Sequence, residues 1–194
     1  MKTSMALIFW GLLFVILDLY FNGPDVILDV AGYVLVAIGA ARLAPVSAHF
    51  LRASWCFWLA AATWVILTVL TTQLVPRFPG GEISSWAMRI PDYLYFAALW
   101  CILSGIAVWS SDQGKHTLAE RARLFRNVFV VVMLLGQLIK IPALAPALIP
   151  CFVIGFLALH VLIMVLIYQA WSQLPRGAED HTDSRASVDE VIVW

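Results

Sequence analysis

Long apolar stretches, separated by short polar segments, follow one another along most of the chain. A helix needs about 20 mostly apolar residues, with a usual range of roughly 17–25, to cross the hydrocarbon core of a bilayer. Six stretches fit or approach this requirement: Met5 to Phe21, Pro24 to Leu43, Trp55 to Val75, Tyr93 to Trp109, Arg123 to Ile141 and Pro146 to Trp171. The pattern therefore predicts an all-α fold, a polytopic transmembrane helical bundle with about six spans.

The fifth stretch departs from this pattern. Its purely apolar run from Val128 to Gly136 is short and is followed by Gln137 and Lys140. It reaches spanning length only if the helix begins before Val128 and the Lys140 side chain extends to the outer membrane surface. The alternative is a re-entrant segment that is broken at Pro142 and Pro146.

The composition changes at Ser172. From there on Gln, Pro, Arg, Gly, Glu, Asp, His and Ser predominate, and a segment of this kind cannot bury a core. We therefore expect a transmembrane helical domain over residues 1–171 and a flexible cytoplasmic tail over residues 172–194.

The overall composition agrees with a membrane protein. Hydrophobic residues make up 62% of the chain and charged residues 12%, whereas an ordinary soluble domain has about 45–50% and about 25%. Twelve basic residues balance twelve acidic ones, so no net positive charge favours nucleic acid as a partner. The lipid bilayer is the expected partner.

The distribution of lysine and arginine predicts the orientation, because cytoplasmic segments carry the excess of basic residues. With the N-terminus inside, nine basic residues lie on the cytoplasmic side: Lys2, Arg42, Arg52, Lys115, Arg121, Arg123, Arg126, Arg176 and Arg185. Only Arg77, Arg89 and Lys140 lie outside. Both termini are therefore expected in the cytoplasm.

A basic amphipathic helix is predicted between the fourth and fifth spans, over residues 117–126. Thr117 and Glu120 have the spacing of a capping box at a helix start. Leu118, Ala122 and Phe125 share one face of this helix, and arginines occupy the rest. We expect it to lie on the inner leaflet against anionic lipid headgroups, and it could be continuous with the fifth span.

The candidate chemistry lies in the first hairpin. Asp18 comes about one turn before the end of the first span, Asp25 lies in the turn, and Asp29 comes about one turn into the second span. Ionisable residues inside a span usually face the bundle interior or water. These carboxylates are therefore expected to gather near the outer surface.

Two interpretations of this cluster remain open. The helix dipole favours Asp25 and Asp29 near a helix N-terminus, so both have a structural explanation. Asp18 lies near a C-terminal end and needs a partner or a proton; Arg89 and Lys140 are the candidates on the same side. The candidate polar site of Asp18, Asp25, Asp29, Arg89 and Lys140 is either a structural ion-pair network or a site for an ion, a proton or a small solute.

Signatures of cofactors and catalysis are missing from the sequence. His160 is the only histidine within a predicted span, so a haem would lack a second axial histidine, and His160 is expected to be a hydrogen-bonded packing residue. Cys56, Cys101 and Cys151 lie in apolar stretches without metal-site spacing. We predict no cofactor and no metal site, and the balance is against an enzyme.

The first hairpin carries a resemblance. Residues 17–33, LDLYFNGPDVILDVAGY, resemble the opening hairpin of small, uncharacterised bacterial multi-pass membrane proteins, whose pattern is roughly L-D-x-x-x-N-G-x-D-x-L-P-D-x-x-G-Y. Leu28 stands where that pattern has proline, and the resemblance covers about residues 11–43. It implies a location in the bacterial inner membrane and brings no known activity.

Three classes of function follow, in order of preference. The first is a non-enzymatic accessory, assembly or sensing component that acts with a membrane-protein partner. The second is a transporter or a protein that binds a solute or an ion through the outer carboxylates. The third is a membrane enzyme that acts on lipid or envelope substrates through Asp18, Asp25 and Asp29.

Overall fold

A computed structural model describes residues 2–21, 26–71, 89–138 and 145–173. These residues form six α-helices and no strand, in agreement with the predicted all-α fold. The helices are α1 (Lys2–Phe21), α2 (Val26–Arg42), α3 (Ala48–Val69), α4 (Ile90–Asp112), α5 (His116–Leu138) and α6 (Ala145–Ser172). The predicted tail beyond residue 173 lies outside the described residues.

Among the residues that the structure describes, three helices have the length and apolar composition needed to cross a membrane. They are α3, α4 and the stretch Leu148–Ser172 of α6, and α1 contains the shorter apolar stretch Lys2–Leu17. Their outward faces carry large apolar side chains such as Ile66, which is 57% exposed, and Ile154, which is 68% exposed. Such faces suit lipid, and the chain is a membrane protein with transmembrane helices.

The helices form an antiparallel ring in which each packs on the next and α6 returns to α1. Phe9 of α1 lies 6.4 Å, between ring centroids, from Trp171 near the end of α6. We call the end of the bundle at which α1 ends and α2 begins the hairpin end. The other end, where α1 begins and α6 ends, is the far end.

Close packing of α1 on α2 depends on glycine. A Cβ on Gly11 would lie 2.7 Å from the Gly32 carbonyl oxygen and 2.6 Å from Val36 Cγ2. A Cβ on Gly32 would lie 2.8 Å from the Gly11 carbonyl oxygen. The two backbones approach to a distance that only glycine permits, as small residues allow in many membrane helix pairs.

The third helix begins at Ala48, earlier than the predicted span start at Trp55. The Ser47 hydroxyl accepts a hydrogen bond from the His49 backbone N–H at 3.3 Å and caps this helix. Phe50 is completely buried, and its ring lies against Gly105 of α4. The first two turns of α3 therefore contribute to the packed core. The polar residues His49 and Arg52 beside Phe50 are the reason that the hydrophobic pattern did not include these turns in the predicted span.

The predicted surface helix and the fifth span are one continuous helix, α5. The Lys115 carbonyl accepts from the N–H groups of Leu118 and Ala119, both at 3.1 Å, so the helix starts before Thr117 and the capping role predicted for Thr117 is wrong. Leu118 and Ala122 are buried in the bundle core. The predicted contact of residues 117–126 with anionic headgroups stays a prediction.

Candidate functional site at the hairpin end

A cavity of about 110 Å³ lies at the hairpin end of the bundle. Five helices contribute to its wall, namely α1, α2, α3, α4 and α6. The lining residues are Val15, Ile16, Asp29, Tyr33, Trp64, Asp92, Tyr95, Phe96, Phe156, Leu157 and His160. An engineered apolar cavity of about 150 Å³ binds benzene, so this volume suits a solute of a few heavy atoms.

Helical spacing explains how the polar side chains converge. Tyr33 follows Asp29 by four residues on α2, and Tyr95 follows Asp92 by three on α4. Residues three or four apart share one face of an α-helix. Because α2 and α4 both begin at the hairpin end, each presents a carboxylate near its first turn and a phenol one turn deeper.

His160 is fixed at both ring nitrogens. Its Nδ1 lies 2.9 Å from the Phe156 carbonyl oxygen, which can only accept, so Nδ1 carries a proton. Its Nε2 lies 3.0 Å from the Tyr95 hydroxyl. In the neutral imidazole Nε2 is an acceptor, so the Tyr95 O–H donates to it. The sequence-based expectation that His160 is a hydrogen-bonded residue within the bundle is confirmed.

An aromatic cluster surrounds this hydrogen bond. The Tyr95 ring stacks on the His160 ring with centroids 6.0 Å apart, and the Tyr33 ring lies 6.0 Å from Tyr95. Phe57 of α3 stands edge-on to Tyr95 at the same centroid distance, 6.0 Å. Tyr33, Tyr95 and His160 are all buried. The inner wall of the cavity is therefore held by rings from four helices and is fixed before any ligand binds.

The two carboxylates occupy different positions in the wall. Asp29 is half-buried. Asp92 is exposed, which places it at the mouth of the cavity. Arg89, the exposed residue at the start of α4, is close enough to attract Asp92. Because Asp29 is the more buried of the two, it is the carboxylate that a bound solute would desolvate.

The wall of the cavity carries hydrogen-bond acceptors, and its Trp64 also has a buried Nε1–H without a hydrogen-bond partner among the described residues. Two carboxylates line the cavity. The Tyr95 O–H donates a hydrogen bond to His160 Nε2, and the Tyr95 oxygen keeps a lone pair that can accept another. No lysine or arginine is among the lining residues that the structure describes. Within the same described part of the chain, no three His, Cys, Asp or Glu side chains are grouped to hold a metal ion. The two carboxylates and the Tyr95 oxygen suit a solute that carries positive charge and N–H donors.

The predicted polar site is only partly within the described structure. Asp29 lines the cavity, and Arg89 lies nearby, next to Asp92. Asp18 belongs to α1, but its side chain is outside the described residues, as are Asp25 and Lys140 altogether. The site of five residues stays a prediction.

Sequence reasoning did not select Asp92, Tyr33 or Tyr95. The available signal was the recurrence of an aspartate followed by a tyrosine one turn later, at the beginning of both α2 and α4. Trp64 is half-buried and lines the cavity. These residues lie on different helices, and only the packing of the helices brings them to one cavity.

The chemistry of the cavity follows from its own residues, which are the carboxylates of Asp29 and Asp92, an aromatic wall and the hydrogen bond between Tyr95 and His160. Similarity to other proteins adds no ligand and no reaction. No protein-family model matches this sequence, and no curated protein and no solved structure is significantly similar to it.

Proposed function

We propose that this chain is a solute-binding membrane protein and that the hairpin-end cavity holds a small organic cation. The observation that carries the proposal is the half-buried Asp29 in a wall that is made largely of aromatic and apolar side chains. A carboxylate there provides the charge, and ring faces stabilise a cation through their quadrupoles. The proposal moves the second of the three expected classes ahead of the first.

The size and composition of the cavity support this choice of ligand. Small-molecule sites are mostly apolar or aromatic, with a few polar groups that orient the ligand. Phe96 and Phe156 provide the apolar contact, and Asp29 and Tyr95 provide the acceptors. A primary ammonium group with a short alkyl chain satisfies both requirements in about 110 Å³.

The proposal includes the placement of the protein. We place it in the inner membrane of a bacterium as a multi-pass protein with six spans and both termini in the cytoplasm. The resemblance of residues 17–33 supports the bacterial membrane, and the distribution of basic residues supports the orientation. On this placement the hairpin end, and with it the cavity, faces outward. An alkaline phosphatase fusion active at the C-terminus would refute the orientation.

Thermal unfolding of the purified full chain in detergent tests the binding. Propylammonium, at about ten times its Kd, should raise the unfolding midpoint by about 3–6 °C. 1-Propanol has the same size without the charge and should raise it far less. Asp29→Asn should abolish the response to propylammonium, because it removes the charge and keeps the shape of the side chain.

Asp112→Asn is the matched control. Asp112 is an exposed carboxylate at the far end of α4, so this variant should respond as the wild type does. Equal responses to propylammonium and 1-propanol, or an unchanged response in Asp29→Asn, would contradict the proposal. An accessory protein without a solute site would show no response to either compound and would copurify with a membrane-protein partner.

A further inference from the structure

A second cavity lies between α4 and α5, apart from the hairpin-end cavity. It is an apolar groove of about 370 Å³, and Trp100, Phe129, Val130 and Met133 are among its lining residues. Leu134, also in its wall, is 65% exposed, so the groove opens on the outer surface of the helix ring. In a bilayer this surface faces lipid chains.

Arg126 stands at one end of this groove. Its guanidinium carbon lies 4.7 Å from the centroid of the Trp100 ring, and its Nη1 donates to the Ser104 hydroxyl at 3.3 Å. Arg126 precedes Phe129, Val130 and Met133 by three, four and seven residues and so shares their helix face. The cation and the groove therefore form one continuous surface.

The charge of Arg126 is incompletely compensated. Its Nε is buried and has no hydrogen-bond partner in the part of the chain that the structure describes. Its described contacts are a neutral hydroxyl and an indole ring, neither of which carries negative charge. A buried charge normally has a partner of opposite charge, because desolvation without one is expensive.

We propose that this groove is a binding site for an anionic phospholipid, with the phosphate paired to Arg126 and an acyl chain along Phe129 and Met133. The orientation is consistent. Helical side chains lean toward the N-terminus of their helix, so the Arg126 guanidinium points toward the far end. The groove extends from there toward the hairpin end, as an acyl chain below its headgroup would. A lipid satisfies the charge and fills the apolar space with one molecule.

Native mass spectrometry of the full chain, reconstituted with equal amounts of phosphatidylglycerol and phosphatidylcholine, tests this site. The wild type should retain one phosphatidylglycerol in preference to phosphatidylcholine. Arg126→Gln should lower the retention of phosphatidylglycerol by about fivefold to tenfold, because one ion pair at the headgroup is lost. Arg52→Gln, which removes an exposed arginine of α3, should leave retention within about twofold.

A second pair of variants tests the groove independently of the charge. Val130→Trp fills the groove and should reduce the retention of both lipids, whereas Val131→Trp adds the same bulk at an exposed neighbour that does not line it. Glycerol phosphate, which has no acyl chain, should not displace the retained lipid.

Three results would overturn the lipid site. The first is wild-type retention of phosphatidylglycerol in Arg126→Gln or Val130→Trp. The second is displacement by glycerol phosphate, which would show a headgroup site only. The third is a stable dimer that covers the α4–α5 face, because a second chain would then occupy the groove.

Discussion

The two ends of the bundle are built on the same six helices but differ in what lies between them. At the far end the core consists mainly of aliphatic and aromatic side chains such as Ile8, Phe50 and Ile106, all fully buried, with small buried hydroxyls at Ser4 and Ser110. At the hairpin end two aspartates, two tyrosines and a histidine replace them around a cavity. The far end maximises packing, whereas the hairpin end gives up packing for a polar site, as functional sites commonly do.

The far end should therefore be the more sensitive to loss of volume. Phe50→Ala is expected to lower the free energy of unfolding by about 3 kcal/mol, near the low end for a buried Phe→Ala, because in lipid the loss is mainly one of packing. Unfolding by dodecyl sulfate in mixed micelles measures it. Trp55→Ala, on the same helix but 64% exposed, is the control and should change stability much less.

The contact between α1 and α2 should tolerate no added volume. Gly32→Ala is expected to destabilise by about 1–3 kcal/mol, because its Cβ would meet the Gly11 carbonyl and Val15. Gly155→Ala is the matched control, since a Cβ at Gly155 meets nothing within 4 Å. The same unfolding assay compares them. Because alanine favours helix more than glycine does, Gly155→Ala should leave stability unchanged or raise it, and equal losses in the two variants would contradict the close-packing explanation.

At the hairpin end the effects should be coupled through hydrogen bonding. Tyr95→Phe and His160→Phe each leave one buried polar group without its partner and should each cost about 1–3 kcal/mol. The double variant should cost no more than the worse single variant, because both partners are then apolar. Strict additivity in this double-mutant cycle would contradict the Tyr95–His160 contact.

Surface contacts at the far end should matter least. The Lys115 ammonium donates to the Gln173 carbonyl at 2.8 Å and lies 4.9 Å from the centroid of the Trp109 ring. Because Lys115 is only partly buried, Lys115→Ala should lower stability by less than about 1 kcal/mol. A loss as large as that of Phe50→Ala would show that the far end depends on polar contacts more than its core indicates.

The fold was largely predictable from the sequence, because apolar stretches of spanning length determine where helices form. The residues at which the helices begin were harder to predict. At α3 the polar residues His49 and Arg52 masked two turns that contribute Phe50 to the core. At α5 the sequence has the capping pattern of Thr117 and Glu120, yet the helix begins earlier, at His116, and its first hydrogen bonds are accepted by the Lys115 carbonyl. Tertiary packing decided both cases.

Of the five residues of the predicted polar site, Asp29 is the one that the described structure shows in the wall of the cavity. Asp29 was selected because it lies inside a span near the end of the first hairpin, and this reasoning depends on one helix pair alone. Tyr95 and His160 are separated by 65 residues, and their hydrogen bond depends on how α4 and α6 are placed in the ring. No spacing along the chain encodes such a contact.

The contrast between the two ends depends on whether the hairpin end binds a cation. Equilibrium binding of radiolabelled propylammonium to the purified full chain measures this directly in the wild type, Asp29→Asn and Asp112→Asn. We predict one saturable site per chain in the wild type and in Asp112→Asn, and none in Asp29→Asn at the same concentrations. Saturable binding that survives Asp29→Asn, or its absence from the wild type, would contradict the account.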